Sequence, residues 1–453
     1  MRHSAVTAII AASFLAAAGT AFADDEAPKP PPPPEWKFAF HGFMGGSLFG
    51  QDGFLAPSGG QQALWAAGSP KTDKFMLGGD IRQDRLNFSI AGPSVLGGIP
   101  RGVVEMDFFG GNGAGFFGDV SLYPRMRVSY AELGWSDTTM RVGQDYQLLA
   151  GISTLTGPAT AGAMGFPTSV GHIAFPINFA AGGLGWRYPG ITLFHRIPMG
   201  SNKMEIALQV TRGAWINPAN PGAGTVVGTT AINPYFTAGT DLGSASGIPQ
   251  LEARLTYAMG SVLGLTVTGH YSAVDPSNWG AGPTGVCGTP SSVPKGTQAG
   301  CDTRTIYAVS ANMRLNLSHF VLQGGGYTGQ NTTPLLGEML QAPNLGAGDL
   351  SDWGAWGQVG FLFTKQLGIY AFAGTDHPDY DTAKRASIQN LSNAVFQGML
   401  RWFDGGLAYG LEVTHWHTRT AAPPGAIFPT GILPVQETAI DVNQAMFSTY
   451  YFF

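Results

Sequence analysis

The chain has 453 residues and a formal net charge of −5 at pH 7, and only 12% of its residues are charged. This share is about half of the usual value for soluble proteins, which argues against a large surface covered by water. The small net charge and the lack of a basic run argue against nucleic-acid binding. With 66 glycines and 11% aromatic residues, the composition fits a protein whose outside faces lipid.

The first 23 residues have the pattern of a secretory signal peptide. Arg2 and His3 form a short basic region, residues 5–18 are almost all small and apolar, and Ala21-Phe22-Ala23 forms an A-x-A cleavage site. The apolar run is too short to span a membrane as a helix. We therefore expect residues 1–23 to direct export and the mature chain to begin at Asp24.

Residues 24–36 form a proline-rich segment that includes five consecutive prolines, Pro30 to Pro34. Proline has no N–H to donate to a sheet, so we expect an extended polyproline conformation. A periplasmic N-terminal spacer is the simplest interpretation. A docking segment for another protein is the alternative.

From Trp36 onward, strands of about 10 residues with period-two alternation are separated by connections that are short and long in turn, the pattern of an outer-membrane barrel. The predicted strands are 37–49, 75–91, 100–110, 125–135, 139–147, 180–196, 203–213, 249–259, 262–274, 304–316, 319–329, 355–365, 367–377, 393–403, 406–419 and 438–453. The long links are 50–74, 111–124, 148–179, 214–248, 275–303, 330–354, 378–392 and 420–437. The count of sixteen requires 180–196 to be one strand across Pro189-Gly190.

Residues 37–453 are thus predicted to form an all-β, transmembrane, antiparallel β-barrel in the bacterial outer membrane, with both termini in the periplasm. The carboxy-terminal strand ends at an aromatic residue, with Phe447 and Tyr451 on one face and Gln444 and Ser448 on the other. A soluble β-sandwich also alternates, but it would expose far more charge.

Alternation also assigns the faces of individual strands. In the second predicted strand, Leu86, Phe88 and Ile90 would face lipid, while the residues between them would face the lumen. The same reasoning places Met106 and Val128 against lipid.

Several segments resemble strands of known barrels. Residues 78–90, which include Gln83-Asp-Arg-Leu-Asn-Phe88, resemble the second-strand motif of trimeric bacterial porins, and residues 103–109, 130–134 and 142–146 are similar to their next three strands. Residues 410–418 resemble the penultimate strand of the DcaP-like branch. The resemblance implies a sixteen-stranded barrel, usually a homotrimer, whose third long loop folds into the pore as a constriction. Here that loop would be 148–179.

The inward faces of strands two to five are predicted to be unusually basic. The candidate pore-lining charges are Arg85, Arg101, Glu105, Asp107, Arg125, Arg127 and Arg141. Adjacent strands lie about 4.8 Å apart, so these side chains would form one patch on the lumen wall. In the facing loop only His172 can titrate. A basic wall opposite a neutral loop favours anions, carboxylates or polar neutral solutes, although arginines and carboxylates that simply pair along the wall remain the alternative.

Other polar groups point less clearly to chemistry. Cys287 and Cys301 are predicted to form a loop disulfide, as is usual in exported chains. Asp376, Asp379 and Asp381 could bind calcium, although solvated loop carboxylates explain them as well. His415 and His417 could bind a metal but lack a third ligand in the sequence, so the interfacial aromatic girdle is the simpler interpretation.

The sequence therefore predicts a porin: a passive channel, without cofactor, metal or chemistry, for small hydrophilic solutes or ions. Its expected partners are outer-membrane lipid and two further copies of the chain. A non-conducting receptor or adhesin barrel is one alternative. A barrel hydrolase is another, but the histidines are scattered and no nucleophile motif accompanies them.

Overall fold

The computed structural model describes residues 35–57, 59–68, 75–110, 112–114, 120–151, 169–173, 176–214, 246–274, 303–340, 349–379, 390–420 and 437–453. The predicted signal peptide, nearly all of the proline-rich segment, and Cys287 and Cys301 lie outside these residues. Their assignments remain predictions.

The described residues form almost only β-strands. These are β1 (Lys37–Gln51), β2 (Phe54–Pro57), β3 (Ala63–Gly68), β4 (Met76–Asp80), β5 (Arg85–Ala91), β6 (Ile99–Asp107), β7 (Asn112–Ala114), β8 (Val120–Leu122), β9 (Arg125–Gly134), β10 (Thr138–Tyr146), β11 (Arg187–Met199), β12 (Asn202–Thr211), β13 (Gln250–Met259), β14 (Leu263–Val274), β15 (Arg304–Leu317), β16 (Phe320–Gln330), β17 (Ser351–Leu362), β18 (Leu367–Pro378), β19 (Asn390–Asp404), β20 (Leu407–Thr420) and β21 (Thr438–Phe452). Short 3-10 helices occupy Gly60–Gln62, Thr333–Leu335 and Glu338–Leu340. No helix of the described residues has the length and hydropathy needed to cross a membrane.

The sheet closes on itself as an antiparallel barrel. Strand β1 pairs with β21 on one side and with both β4 and β5 on the other, so β4 and β5 are two segments of one interrupted strand. From β9 to β21 each strand pairs with the next. The count is sixteen barrel strands, which confirms the predicted fold class. The hairpins β2–β3 and β7–β8 are separate from the barrel wall.

The two faces of the wall have opposite chemistry. On β12, β13 and β14 the exposed outward residues include Leu208, Leu255 and Val267, while Glu205 and Thr256 on the inward face are buried. The carboxy-terminal strand follows the same rule, because Phe447 and Tyr451 are exposed whereas Gln444 and Ser448 are buried. This inverted pattern is that of a barrel with lipid outside and a polar lumen.

Two details of the sequence interpretation are wrong. The strand predicted to begin at residue 180 begins at Arg187, although it does continue across Pro189-Gly190 to Met199. Val128 is buried and lies opposite the inward-facing Glu105, because the register between β6 and β9 shifts at that point. A one-residue bulge moves every later side chain of a strand to the other face.

Candidate pore

An ion-paired group of side chains lines the inner wall at β6 and β9. The guanidinium of Arg127 lies 2.7 Å from a carboxylate oxygen of Glu105 and 2.6 Å from one of Asp107. Asp107 also accepts two hydrogen bonds from Arg125, at 2.9 and 2.7 Å, and Arg127 donates to the hydroxyl of Tyr146. The side chain of Arg127 is only 2% exposed. It therefore acts within the wall rather than in open pore water.

The other predicted arginines of the wall also have carboxylate partners. Arg141 binds Glu132 at 2.7 Å and also pairs with Asp145. Arg101 lies 3.7 Å from Glu132, and Arg85 lies 3.7 Å from Glu105. The five predicted arginines are thus gathered on adjacent strands, as alternation indicated, and each takes part in an ion pair. Arg101 is the most accessible of them, with 49% of its side chain exposed.

A sixth arginine belongs to this wall and was not identified from the sequence. Arg187 begins β11, and its guanidinium carbon lies 4.1 Å from the ring centre of Trp186 and 5.3 Å from that of Tyr146. The side chain is buried, and its Nη1 has no hydrogen-bond partner among the described residues. Its two aromatic neighbours, Tyr146 and Trp186, were the available signal, because arginine stacks on aromatic faces.

The charges of this wall do not cancel. The six arginines 85, 101, 125, 127, 141 and 187 stand beside four carboxylates at positions 105, 107, 132 and 145, an excess of two positive charges. Among these ten groups the excess charge favours a positive potential. Potentials of this kind act more strongly in a narrow lumen with low-dielectric walls than at an open surface.

The third long link folds into the barrel, as expected from the resemblance. Glu412 of β20 accepts hydrogen bonds at one oxygen from the Ser169 hydroxyl (2.7 Å) and from the backbone amides of Val170 (2.8 Å) and Gly171 (2.9 Å). The side-chain amide of Gln83, in the link between β4 and β5, donates to the Gly171 carbonyl. His172, predicted as a pore-lining residue, is only 1% exposed. It is enclosed by this anchored end of the loop instead of facing the lumen.

The returning part of the same loop packs against the inner face of β17 to β19, next to β20 in the wall. The Asn393 amide donates to the Ala180 carbonyl at 2.8 Å. Gly182 has a φ of +98°, and a Cβ at this position would lie 2.3 Å from the carbonyl carbon of Ala355. Only glycine allows so close an approach. Ile177 and Ala181 join a buried apolar cluster with inward-facing residues of β17 to β21.

The first long link also enters the barrel, which the sequence did not predict. Gln61, in the turn before β3, is fully buried and donates to the Ser47 hydroxyl at 2.9 Å and to the Tyr450 hydroxyl. The Ala66 amide donates to the Thr418 hydroxyl at 2.9 Å. Hairpin β2–β3 is therefore fixed to the inner wall on both sides of the closing seam.

A third inward segment, residues 331–340, lies between β16 and β17. Its Pro334 carbonyl accepts a hydrogen bond of 2.7 Å from the Tyr188 hydroxyl on β11, and its Leu335 carbonyl accepts one of 2.6 Å from the Gly185 amide. Leu336 packs in a buried cluster that includes Leu64 and Trp186. The segment thus extends from one side of the barrel to strands on another and contacts both other inward segments.

The remaining polar candidates have other surroundings. Asp376 is fully buried, and Asp381 lies outside the described residues. His415 and His417 project from β20 toward the outside and contact Asn443 and Asp441 of β21, at 3.0 and 2.8 Å. Among the described residues no group of three or more histidine, cysteine or acidic side chains has the arrangement of a metal site.

Comparison with solved structures shows what this fold is similar to. The outer membrane channel DcaP of Acinetobacter baumannii matches with a TM-score of 0.60 at 12% identity, covering 92% of this chain and 97% of that one. An anion-selective porin from Comamonas acidovorans matches with a TM-score of 0.51 at 11% identity, covering 92% of this chain and all of the porin. No family model matches the sequence, and no curated protein matches it. The shared feature is the fold.

Proposed function

We propose that this protein is an outer-membrane porin, a passive diffusion channel for small hydrophilic solutes or ions. The observation that carries the proposal is the closed sixteen-stranded wall with apolar side chains outside and charged and hydroxyl side chains inside. A closed barrel satisfies every backbone hydrogen bond of its wall, as insertion into a bilayer requires. The similarity to solved outer-membrane channels supports the same location.

The termini belong to the periplasmic side in this proposal. An even number of antiparallel strands puts the start of β1 and the end of β21 at one end of the barrel. Tight turns such as Gly200-Ser201 and Gly405-Gly406 lie at that end, whereas the inward-folded segments start from the other. Short turns mark the periplasmic rim of outer-membrane barrels.

The channel prefers anions, including carboxylates, over cations. Support comes from the excess of two positive charges on the wall, and from the sequence 148–179, which contains no aspartate, glutamate, lysine or arginine. We assign the preference chiefly to Arg101, because half of its side chain is exposed, and to Arg187, because its Nη1 has no hydrogen-bond partner among the described residues. The other two expected properties, assembly as a homotrimer and the absence of catalysis, belong to the same proposal.

Ion conductance in planar bilayers tests the channel. Stable open steps support it, whereas a receptor or adhesin barrel would give none, and lipid hydrolysis by the purified protein would favour a barrel enzyme. For selectivity, the zero-current potential in a salt gradient should move toward cation preference in Arg101→Gln. This change removes an accessible charge, and Glu132 keeps its shorter ion pair with Arg141. Arg127 is less suitable, because its loss would leave Asp107 buried beside fewer cations.

Arg419→Gln is the matched control. Arg419 is exposed on the outside of β20, where it pairs with Glu437 at 2.9 Å. The same charge is removed, but away from the lumen, so the zero-current potential should stay at the wild-type value. An identical potential in Arg101→Gln and Arg419→Gln would contradict the role of the basic wall.

A further inference from the structure

The segment 331–340, here called the strap, crosses the lumen between distant strands. It leaves β16, meets Tyr188 on β11 through the Pro334 carbonyl, and returns to β17. All of its described side chains are buried. Because β11 and β16 are five strands apart in the wall, a segment joining them obstructs part of the opening. Displacement of the strap would therefore enlarge the passage.

A group of buried acids holds the strap at its β17 end. One oxygen of Asp352 accepts hydrogen bonds from the Tyr327 hydroxyl (2.8 Å), the Thr332 hydroxyl (2.6 Å) and the Glu338 amide (2.9 Å). Tyr327 also lies 2.8 Å from an oxygen of Asp376. The Glu338 carboxylate accepts from the Thr332 amide at 2.9 Å. Three carboxyl groups are thus enclosed together, linked by neutral donors.

Burial raises the pKa of the Glu338 carboxyl well above its usual range, and the nearby negative charge of Asp352 raises it further. The Glu338 carboxyl therefore binds a proton more readily in the buried arrangement than in water. Several other charged or titratable groups lie near the strap on the elements that pack against it. They are Tyr188, Arg187 and Arg212 from the β11 side, Arg304 and Asp349 at the β15 side, and His377 next to Asp376 on β18.

The backbone of the strap is strained. Six non-glycine residues of the described chain have positive φ angles, and four of them belong to the strap: Asn331, Leu336, Glu338 and Met339. The left-handed region is unfavourable for residues with a Cβ atom, apart from a modest tolerance for asparagine. Such strain persists only where surrounding contacts enforce it. If those contacts weaken, the backbone itself favours release.

We propose that the strap is a proton-controlled gate: it closes the lumen while the Glu338–Asp352–Asp376 cluster carries its protons, and it opens when the cluster ionises. This inference rests on the proposed channel function. Ionisation would place like charges within one enclosed site, where repulsion and desolvation both act against the closed arrangement. The buried apolar contacts of Leu336 hold the strap until then.

The direction in which pH shifts the closed-to-open equilibrium follows from the linkage between proton binding and closure. A carboxyl group that binds its proton more tightly in the closed state stabilises closure at low pH. This stabilisation is lost as pH rises from the ordinary carboxyl value of about 4.3 toward the raised value in the cluster. For each additional proton held by the closed state, the closed-to-open ratio should fall about tenfold per pH unit. The channel should therefore open toward neutral and alkaline pH.

Single-channel recordings of the full-length protein at a series of pH values test the gate. Wild type should show rising open probability with pH. Asp376→Asn removes one ionisable group while keeping a hydrogen-bond acceptor for Tyr327, so the channel should remain closed to higher pH. Glu338→Gln provides the same test if the first variant folds poorly. Leu336→Ser removes an apolar anchor of the strap and should open the channel at every pH.

Asp404→Asn is the control. Asp404 is exposed at the end of β19 away from the strap, so the open probability of this variant should depend on pH as it does in wild type. A wild-type open probability independent of pH would overturn the gate, as would an unchanged profile in both cluster variants. Conductance without pH dependence would leave the channel function standing. Absence of conductance in every protein, Leu336→Ser included, would overturn the channel and the gate together.

Discussion

Glu412 fixes the anchored end of the constriction loop, and its removal should release that end. The carboxylate is fully buried and accepts three hydrogen bonds at one oxygen, from Ser169, Val170 and Gly171. A hydrogen bond to a charged group contributes about 1.5–3 kcal/mol. Three such bonds amount to about 4.5 kcal/mol at the lower limit, which corresponds to a roughly two-thousandfold change in the ratio of anchored to released loop.

In Glu412→Ala we therefore expect higher single-channel conductance and more current fluctuation than in wild type. Glu412→Gln keeps an acceptor oxygen but loses the charge, so it should lie between the two. The barrel wall should keep its thermal stability, measured as the temperature at which the folded band disappears in a denaturing gel, because the backbone pairing of β20 is untouched. Glu437→Ala, at an exposed position beside β20, is the control. Identical conductance and noise in Glu412→Ala and Glu437→Ala would refute the anchoring role.

Two further substitutions test the outward face. Leu255 lies exposed on β13. If it faces the membrane interior, Leu255→Arg should destabilise the inserted barrel by about 2–4 kcal/mol and reduce the yield of folded protein in detergent extracts. Leu255→Met should fold normally, and equal yields of the two variants would contradict contact with lipid. On β20, His417 and its partner Asp441 face outward in a wall that is otherwise mainly apolar. If a second copy of the chain covers them in the proposed trimer, His417→Leu should lower the temperature at which the oligomer dissociates, whereas Thr328→Leu on β16 should not. An unchanged dissociation temperature in His417→Leu would instead indicate that these residues lie outside the subunit interface.

Much of the wall could be predicted because its two faces meet different solvents. Along β13, for example, Leu251, Ala253 and Leu255 are on the exposed face, while Glu252 and Arg254 are buried, the reverse of the order in a soluble protein. The alternation of side chains between the two faces no longer predicts which face a residue is on where an extra residue is inserted in a strand. At the bulge in β9, Arg127 and Val128 both turn inward, and the Gln144 side chain donates to the carbonyls of Met126 and Arg127. Nothing in the local sequence marks that insertion.

Alternation predicted a basic wall but not the partners of its arginines. Glu132 approaches Arg141 because the register of β9 against β10 places the two residues opposite each other, whereas Asp145 lies on the same strand as Arg141. Register depends on tertiary pairing, which a single sequence does not specify. Arg187 was missed for a related reason, since the strand that it begins was predicted to start seven residues earlier.

The extent to which the lumen is filled was the largest omission. Hairpin β2–β3 and the strap have ordinary loop compositions, so their inward course is not visible in their own residues. A signal existed on the facing strands instead. Trp356, Phe372 and Trp416 occupy the inward, otherwise polar, side of β17, β18 and β20, and all three are buried. Large apolar side chains on the water-facing side of a barrel indicate that another segment covers them.

The seam between β1 and β21 has a consequence for how the molecule forms. The hydroxyls of Ser47 and Ser448 meet there at 2.6 Å across a separation of 401 residues. Bringing together chain ends that far apart has an entropic cost of about 5 kcal/mol, from the logarithmic dependence on loop length. Until that contact is made, both strands present unpaired edges that can associate with other chains. We therefore expect closure of the ring to be the slow step of folding and the stage before it to be prone to aggregation. The closed ring has no unpaired strand edge.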